Sequence, residues 1–282
     1  MSGTLFVCGT PIGNIEDMTL RCLRTLKECD LIAAEDTRQS VKLLNHYDIK
    51  TPLTSYHEHN KAEKGPQLVR RLLDGKNIAL VTDAGMPGIS DPGEDMIKLC
   101  YENGIPVTVV PGPTAAVTAL VLSGLSSRSY VFEGFLPSGK NARKQVLEGL
   151  KNQTATIILY EAPHHLKNTL KELADTLGSR PAACVKELTK RYENVNKLPL
   201  DKLAAYYEQN EPKGEFVIVI EGREYRDIEE EKQAEAAQMT IEQHFKMYLD
   251  KGMDEKSAMK AVAKDRGIGK REVYGIIKGE NK

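Results

Sequence analysis

Apolar and polar residues alternate in blocks along the first 120 positions. Three short aliphatic runs, Leu5-Phe6-Val7-Cys8, Ile78-Ala79-Leu80-Val81 and Val107-Thr108-Val109-Val110, each lead into a segment punctuated by glycine and proline. Those segments are residues 9–14 (GTPIGN), 83–93 (DAGMPGISDPG) and 110–116 (VPGPTAA). Stretches with helical spacing of apolar positions separate the runs. Apolar strand, tight loop and helix form the repeating unit of an α/β sheet. The pattern predicts strands near 4–9, 30–34, 51–55, 77–82 and 106–110, and helices near 18–28, 38–46, 60–74, 93–103 and 113–122. A second α/β region follows, with strands near 129–134, 154–160, 181–187, 191–196 and 214–221 and helices near 140–150, 164–177 and 199–209. The small, flexible segment 122–127 (LSGLSS) reads as a hinge between an N-terminal α/β domain over 1–122 and a C-terminal one over 123–223.

The character changes after Glu221. Residues 224–237 are rich in charge and poor in large apolar side chains, which predicts a charged linker or an exposed helix. Helical spacing returns over 238–282: Ile241, Phe245 and Leu249 share one face, and Ala258, Val262 and Ala263 another. A turn at Gly267-Ile268-Gly269 precedes a third helix, so the extension has a helix-turn-helix-like outline. It carries 10 Lys+Arg against 7 Asp+Glu, a net +3, whereas the whole chain carries −1. Such a trio serves either as a dimerisation or capping element or as a nucleic-acid contact.

Charge and composition narrow the classes. A net charge of −1 gives no global attraction to RNA or DNA, so any nucleic-acid site is a local patch. No run approaches the roughly 20 apolar residues that span a bilayer, and Met1-Ser2-Gly3-Thr4 carries no secretory signal. The five scattered cysteines lack a CxxC pair, which points to reduced thiols in a cytoplasmic protein.

The three loops sit at the carboxyl ends of strands, where α/β sheets bind their ligands, and so predict one pocket. The first is neither GxGxxG nor a GK[ST] phosphate loop, which disfavours dinucleotides and nucleoside triphosphates. Asp83 reads as a turn aspartate or as a partner for a ribose hydroxyl or a ligand amine. Asp91, before Pro92, reads as a helix cap. Thr114 caps a helix or contacts an adenosine. His57 and His59 lack an evident third ligand, so no metal site is expected.

The motifs GTPIGN, AEDTR (34–38), SYHEHN (55–60), DAGMPGISDPG, VPGPTAAVTAL (110–120), YEAPHHL (160–166), KELTK (186–190) and GEFVIVIEG (214–222) together resemble the tetrapyrrole-methylase superfamily. The resemblance covers residues 3–222 in order. It is strongest to members that 2′-O-methylate a cytidine in the decoding region of 16S ribosomal RNA, whose helical extension the tail also matches. It implies a homodimeric methyltransferase that binds S-adenosylmethionine (SAM) in a cleft between two α/β domains. By motif, Pro11, Asp83, Met86, Thr114 and Ala115 contact the cofactor, and Tyr160 and Ala162 close over its adenine side. Glu35 or Asp36, with His57, are expected at the target nucleotide. Arg38 and Lys190 are expected on RNA phosphates, and Lys140 and Arg143 lie in a loop that touches the RNA backbone or is simply solvated. Helix capping is the alternative for Glu35 and Asp36. The implied substrate is 16S rRNA in the assembled small subunit. A tetrapyrrole-precursor methylase is disfavoured by AEDTR, SYHEHN and the tail; a SAM- or RNA-binding sensor without turnover stays open.

Overall fold

The computed structural model describes the backbone of residues 1–279, and their side chains except at 232 and 235–237. The last three residues of the expected 238–282 extension lie outside the described residues. The chain clusters into two compact units, residues 1–151 with 155–221, and residues 152–154 with 222–282.

The first unit holds two five-stranded sheets. Its first sheet uses β1 (Leu5–Cys8), β2 (Leu31–Ala34), β3 (Leu53–Ser55), β4 (Ile78–Val81) and β5 (Val107–Val110) in the order β3-β2-β4-β1-β5, all parallel. Intervening helices α1 (Leu20–Glu28), α2 (Thr37–His46), α3 (Lys61–Leu73) and α4 (Gly93–Glu102) cover both faces. On one face Leu5, Val7, Ile78 and Leu80 pack against Leu68, Leu72 and Met96; on the other Cys8, Ile32, Ala79 and Val81 pack against Cys22, Leu26 and Leu44. Burial on both faces is why β2 and β4 read as unbroken apolar runs.

Helix α5 (Ala115–Ser123) leaves the first sheet and ends at Gly124, whose φ of +63° closes it in the left-handed conformation. The second sheet follows: β6 (Tyr130–Phe135), β7 (Thr156–Glu161), β8 (Pro181–Lys186), β9 (Asn194–Pro199) and β10 (Phe216–Ile220), in the order β6-β7-β10-β8-β9. Only β6 and β7 run parallel there. Helices α6 (Lys140–Leu150), α7 (Pro163–Leu177) and α8 (Leu200–Gln209) serve this half, and Leu166, Leu170, Leu200 and Leu203 bury one face of the sheet. The other face packs Ile158, Ala183, Val217 and Val219 against Ala116, Ala119 and Leu120 of α5. This helix therefore joins the two sheets.

The edge strand differs from expectation. Its run lies at 194–199 instead of 191–196, because Asn194-Val195-Asn196-Lys197 has no apolar pattern and is a strand only through pairing with β8. All five cysteines are buried and unpaired. Among the described residues no helix is long and apolar enough to cross a membrane.

The second unit is helical. Helix α9 (Tyr225–Gln238) occupies the segment expected as a charged linker. Its Glu, Gln, Lys and Ala residues are good helix formers, and Arg226 pairs with Glu230 one turn on, at 2.8 Å. Helix α10 (Ile241–Asp250) opens with a capping box between Thr240 and Gln243. Helix α11 (Glu255–Arg266) is capped by Asp254 and ends at Gly267, and α12 (Lys270–Lys278) follows. Phe245, Met259, Val262 and Val273 form a small core.

Candidate active site

The loops after β1, β4 and β5 are knitted together by backbone. Thr10 and Gly85 exchange N–H···O bonds of 2.9 and 3.2 Å, and the Thr10 hydroxyl donates to the Thr82 carbonyl at 3.1 Å. Gly9 lies so close to Gly112 that a Cβ on either would sit within 3 Å of the other's backbone. The Gly112 N–H donates to the Met86 sulfur at 3.2 Å, tying the second loop to the third. Within the second loop, Asp91 accepts from the N–H groups of Gly88, Ile89 and Gly93 at 2.7–3.2 Å. It organises the loop and the start of α4, close to the expected cap, although Pro92 holds the cap position.

Two contacts carry the second sheet up to these loops. Gly134 approaches Ser90, and Thr189 accepts the Asn14 N–H at 2.9 Å. Glu187 and Thr189 both adopt left-handed φ (+51° and +60°), an unusual state for non-glycine residues and most of all for β-branched threonine. Gly13 fits beneath them because a Cβ there would meet the Leu188 carbonyl at 2.6 Å.

Between the sheets lies a cleft of about 560 Å³, a size typical of small-molecule sites. Ile12, Thr82, Gly85, Glu161, Phe216 and Val217 form its buried floor, whereas Asp83, Ile89, Ser90, Phe135 and Glu215 stand exposed at its rim. Among the described residues, five in the lining are acidic (Glu35, Asp83, Asp91, Glu161, Glu215) and none is Lys, Arg or His. Such a wall repels phosphate and favours a cation.

Asp83 accepts the Asp36 N–H at 3.0 Å. Partial desolvation by the cleft, then the nearby Glu35 and Asp36 carboxylates, raise its pKa above the ordinary carboxylate value. The Thr82 hydroxyl donates to Glu35 at 2.5 Å. Thr114 precedes α5 without a capping hydrogen bond from its side chain. The Tyr160 hydroxyl instead accepts the Ala116 N–H at 3.1 Å in the first turn, and burial raises the pKa of that phenol.

The structure brings Asp83, Met86, Thr114, Ala115, Tyr160, Ala162 and Glu35 together in this wall. Pro11 is not a lining residue; its neighbour Ile12 is. Asp36 caps α2 and binds Arg38 through both carboxylate oxygens, which holds its pKa at about 2 and makes it a weak proton acceptor. His57 is outside the cleft wall but on the same sheet edge. Tyr56 N–H bonds to Ala34 O beside Glu35, and the buried Nδ1 of His57 has no hydrogen-bond partner.

Two expected RNA cations are occupied internally. Lys190 bridges Glu187 at 3.1 Å and Glu215 at 2.8 Å; burial opposes its charge, and these hydrogen bonds outweigh that and raise its pKa. Arg143 donates to Glu172 at 2.6 Å and to Thr169 at 2.7 Å, and Thr169 in turn donates to Glu161 in the cleft floor. Arg143→Ala is therefore expected to lower stability by about 1–3 kcal/mol, read by urea unfolding, with the salt dependence of RNA binding unchanged. A shallower salt dependence at wild-type stability would instead place this cation on RNA. Lys140 and Arg38 face solvent. Glu161, between Tyr160 and Ala162 at the strand end expected over the adenine, also lines the cleft; the sequence reading missed Ile12, Phe135, Glu215 and Phe216, of which the GEFVIVIEG motif contains the last two.

A family model described as Tetrapyrrole (Corrin/Porphyrin) Methylases matches residues 4–204. The chain belongs to this family. Among tetrapyrrole methylases, a Halalkalibacterium halodurans protein named Ribosomal RNA small subunit methyltransferase I is 48% identical, over 99% of this chain and 96% of its own length. The Bacillus subtilis protein of that name is 46% identical, over 96% and 93%. In Thermotoga maritima a protein of the same name is 42% identical, and 79% of this chain matches its entire length. The uroporphyrin-III C-methyltransferase of Thermus thermophilus, solved with S-adenosyl homocysteine, shares the fold with a TM-score of 0.56 at 19% identity, over 77% of this chain and 97% of its own.

Proposed function

We propose that this tetrapyrrole methylase uses SAM to 2′-O-methylate a cytidine in the decoding region of 16S rRNA, acting in the cytoplasm on the assembled small subunit. The observation that carries the reading is near-full-length identity of 46–48% to relatives named for rRNA small-subunit methylation. The cleft fits the cofactor on its own terms. It is walled by carboxylates, its floor combines Ile12, Phe216 and Val217 with the polar Thr82 and Glu161, and among the described residues its lining holds none of the basic side chains that a phosphate ligand would need.

When bound, the cofactor supplies an electrophilic methyl on a positively charged sulfur, with a neutral thioether as leaving group. Asp83 holds positive charge at the rim, Thr114 and the Ala115 backbone hold polar edges, and Met86 and Tyr160 supply apolar walls. Positioning of the ribose oxygen carries much of the rate. A ribose hydroxyl keeps its proton at neutral pH, so an acceptor helps. The Thr82 hydrogen bond occupies Oε2 of Glu35 and orients the carboxylate, which makes Oε1 the atom that takes the proton. His57 contacts the nucleotide from the neighbouring strand end. Arg38, paired with Asp36 but 88% exposed at its side chain, and Lys140 take RNA phosphates, in preference to the more buried, internally paired Lys190 and Arg143.

Homodimerisation has a surface to use. Helix α5 is apolar on all sides, yet Val117, Val121 and Leu122 are 44%, 73% and 41% exposed, beside Val109 on edge strand β5 at 53%. A helix of that kind is normally covered, and a second copy covers it. Val121→Asp is expected to give a folded monomer by sedimentation; a persisting dimer would place the interface elsewhere.

A chain ending at residue 224 is expected to retain methyl transfer within about tenfold, because the Thermotoga maritima relative matches only 79% of this chain. Complete loss of transfer by a folded truncation would make the helical unit part of the catalytic apparatus. The proposal itself is tested with labelled SAM and small subunits from a strain lacking the modification, followed by nuclease digestion and mass spectrometry. A new 2′-O-methylcytidine in the decoding region supports it; cofactor binding without transfer would favour a sensor.

A further inference from the structure

Strand β6 contains a β-bulge. Phe132 pairs with Ile158, Gly134 with Leu159 and Phe135 with Tyr160, so Glu133 is the extra residue. Gly134 takes φ of +64°, which the bulge requires and a side chain would resist. The insertion changes which face the next residue occupies. Ile158 and Tyr160 belong to the face packed on α5, and Leu159 to the opposite one. Without the bulge, Phe135 would fall three regular positions after Phe132 and point away from the cleft. With it, both rings share the cleft face and meet Tyr160 edge-on, at centroid distances of 4.9 and 5.6 Å.

The two rings then part in environment. Phe132 is half-buried against the α5 cluster, whereas Phe135 is 57% exposed and lines the cleft. Ile89, 46% exposed, is also in the wall. Their neighbours touch: a Cβ on Gly134 would lie 2.8 Å from the Ser90 hydroxyl. Ser90 itself has φ of +64°, so both segments hold unusual backbone at this point. An aromatic face and an aliphatic side chain thus both line the mouth, each beside a local backbone distortion.

We propose that Phe135 and Ile89 grip the nucleobase of the target nucleotide, splayed out of the RNA so that its ribose enters the cleft. This rests on the reading above that the substrate is RNA. Stacking on an aromatic face is the common way for proteins to hold an unstacked base. With 57% of its surface exposed, Phe135 leaves a ring face open to a base arriving from outside the cleft.

The test compares wild type, Phe135→Ala, Phe135→Tyr and Ile89→Ala as full-length chains. Methyl transfer to small subunits lacking the modification gives KM for the subunit, and calorimetry gives Kd for SAM. Phe135→Ala is expected to raise the subunit KM roughly tenfold and to leave the SAM Kd within about twofold. Phe135→Tyr should restore the KM, and Ile89→Ala should raise it about threefold. Thermal melts confirm that each variant folds. A raised SAM Kd at unchanged subunit KM would place the ring on the cofactor and overturn the proposal. So would wild-type values for both. If wild type itself transfers no methyl to the subunit, the RNA reading fails instead, a result distinct from either.

Discussion

Replacing Gly9 with alanine is expected to abolish measurable SAM binding and to destabilise the chain by about 1–3 kcal/mol. The new methyl would lie 2.6 Å from the Met86 sulfur, 2.7 Å from Gly112 Cα and 2.8 Å from Gly112 N. A methionine can turn aside, but the Gly112 backbone has little room to, because it lies two residues after β5, which ends at Val110. Gly9 cannot retreat either, since its N–H is bonded to Val110 O at 3.1 Å. The strain therefore spreads into two of the three cofactor loops. Gly149→Ala in α6, where a Cβ meets nothing within 4 Å, is the control and is expected to stabilise by about 0.5–1 kcal/mol. Calorimetry and urea unfolding read both variants. Wild-type affinity in Gly9→Ala would show that loop packing does not set the cofactor site.

Asp83→Asn is expected to weaken SAM binding about 30-fold, the loss of roughly 2 kcal/mol for a charged hydrogen bond replaced by a neutral one. The substitution keeps an oxygen to accept the Asp36 N–H, so the fold has no reason to change. The pH dependence separates charge from shape. Asp83 has its pKa raised in the folded chain, and only its ionised form attracts a cation. Wild-type affinity should fall as pH drops through that raised pKa, and the asparagine variant should be flat there. Stability of the free chain runs the other way. A folded pKa above the unfolded one means that the folded state holds the proton more tightly, so stability decreases as pH rises from the unfolded value through the folded one. Free Asp83→Asn should then be no less stable than wild type at neutral pH. A variant with both weaker binding and a lower melting point would point to a structural role for Asp83.

Both sheets were legible in the chain wherever burial made a run uniformly apolar. Strands β1, β2, β4, β7 and β10 lie where their aliphatic runs are, and loops 9–14, 83–93 and 110–116 converge as strand-end loops must. Strand β9 was displaced because its identity comes from β8 and not from its own residues. Helix α9 takes the second of the two forms expected for its charge run, which suits a linker and a solvated helix equally. In the site, six of the seven residues named for the cofactor line the cleft, Pro11 being the exception, and of the three named for the target nucleotide only Glu35 does. Arg143 and Lys190 read as free cations because their partners Glu172 and Glu215 stand 29 and 25 positions away. Phe135 went unnoticed for a different reason: a one-residue bulge leaves no mark in an alternating pattern, yet it decides which side a ring faces.

The strand order of the first sheet also governs how the chain can be made. Strand β1 pairs on its two sides with β4 and β5, and Leu5 aligns with both Ile78 and Val107. Its two edges are therefore filled by segments 73 and 102 positions further along the chain. Such distant pairing slows folding and prolongs exposure of a sticky edge. Refolding from urea is therefore expected to be limited by closure of β1 between these partners, so that substitutions in β5 slow refolding more than equally destabilising ones in α8.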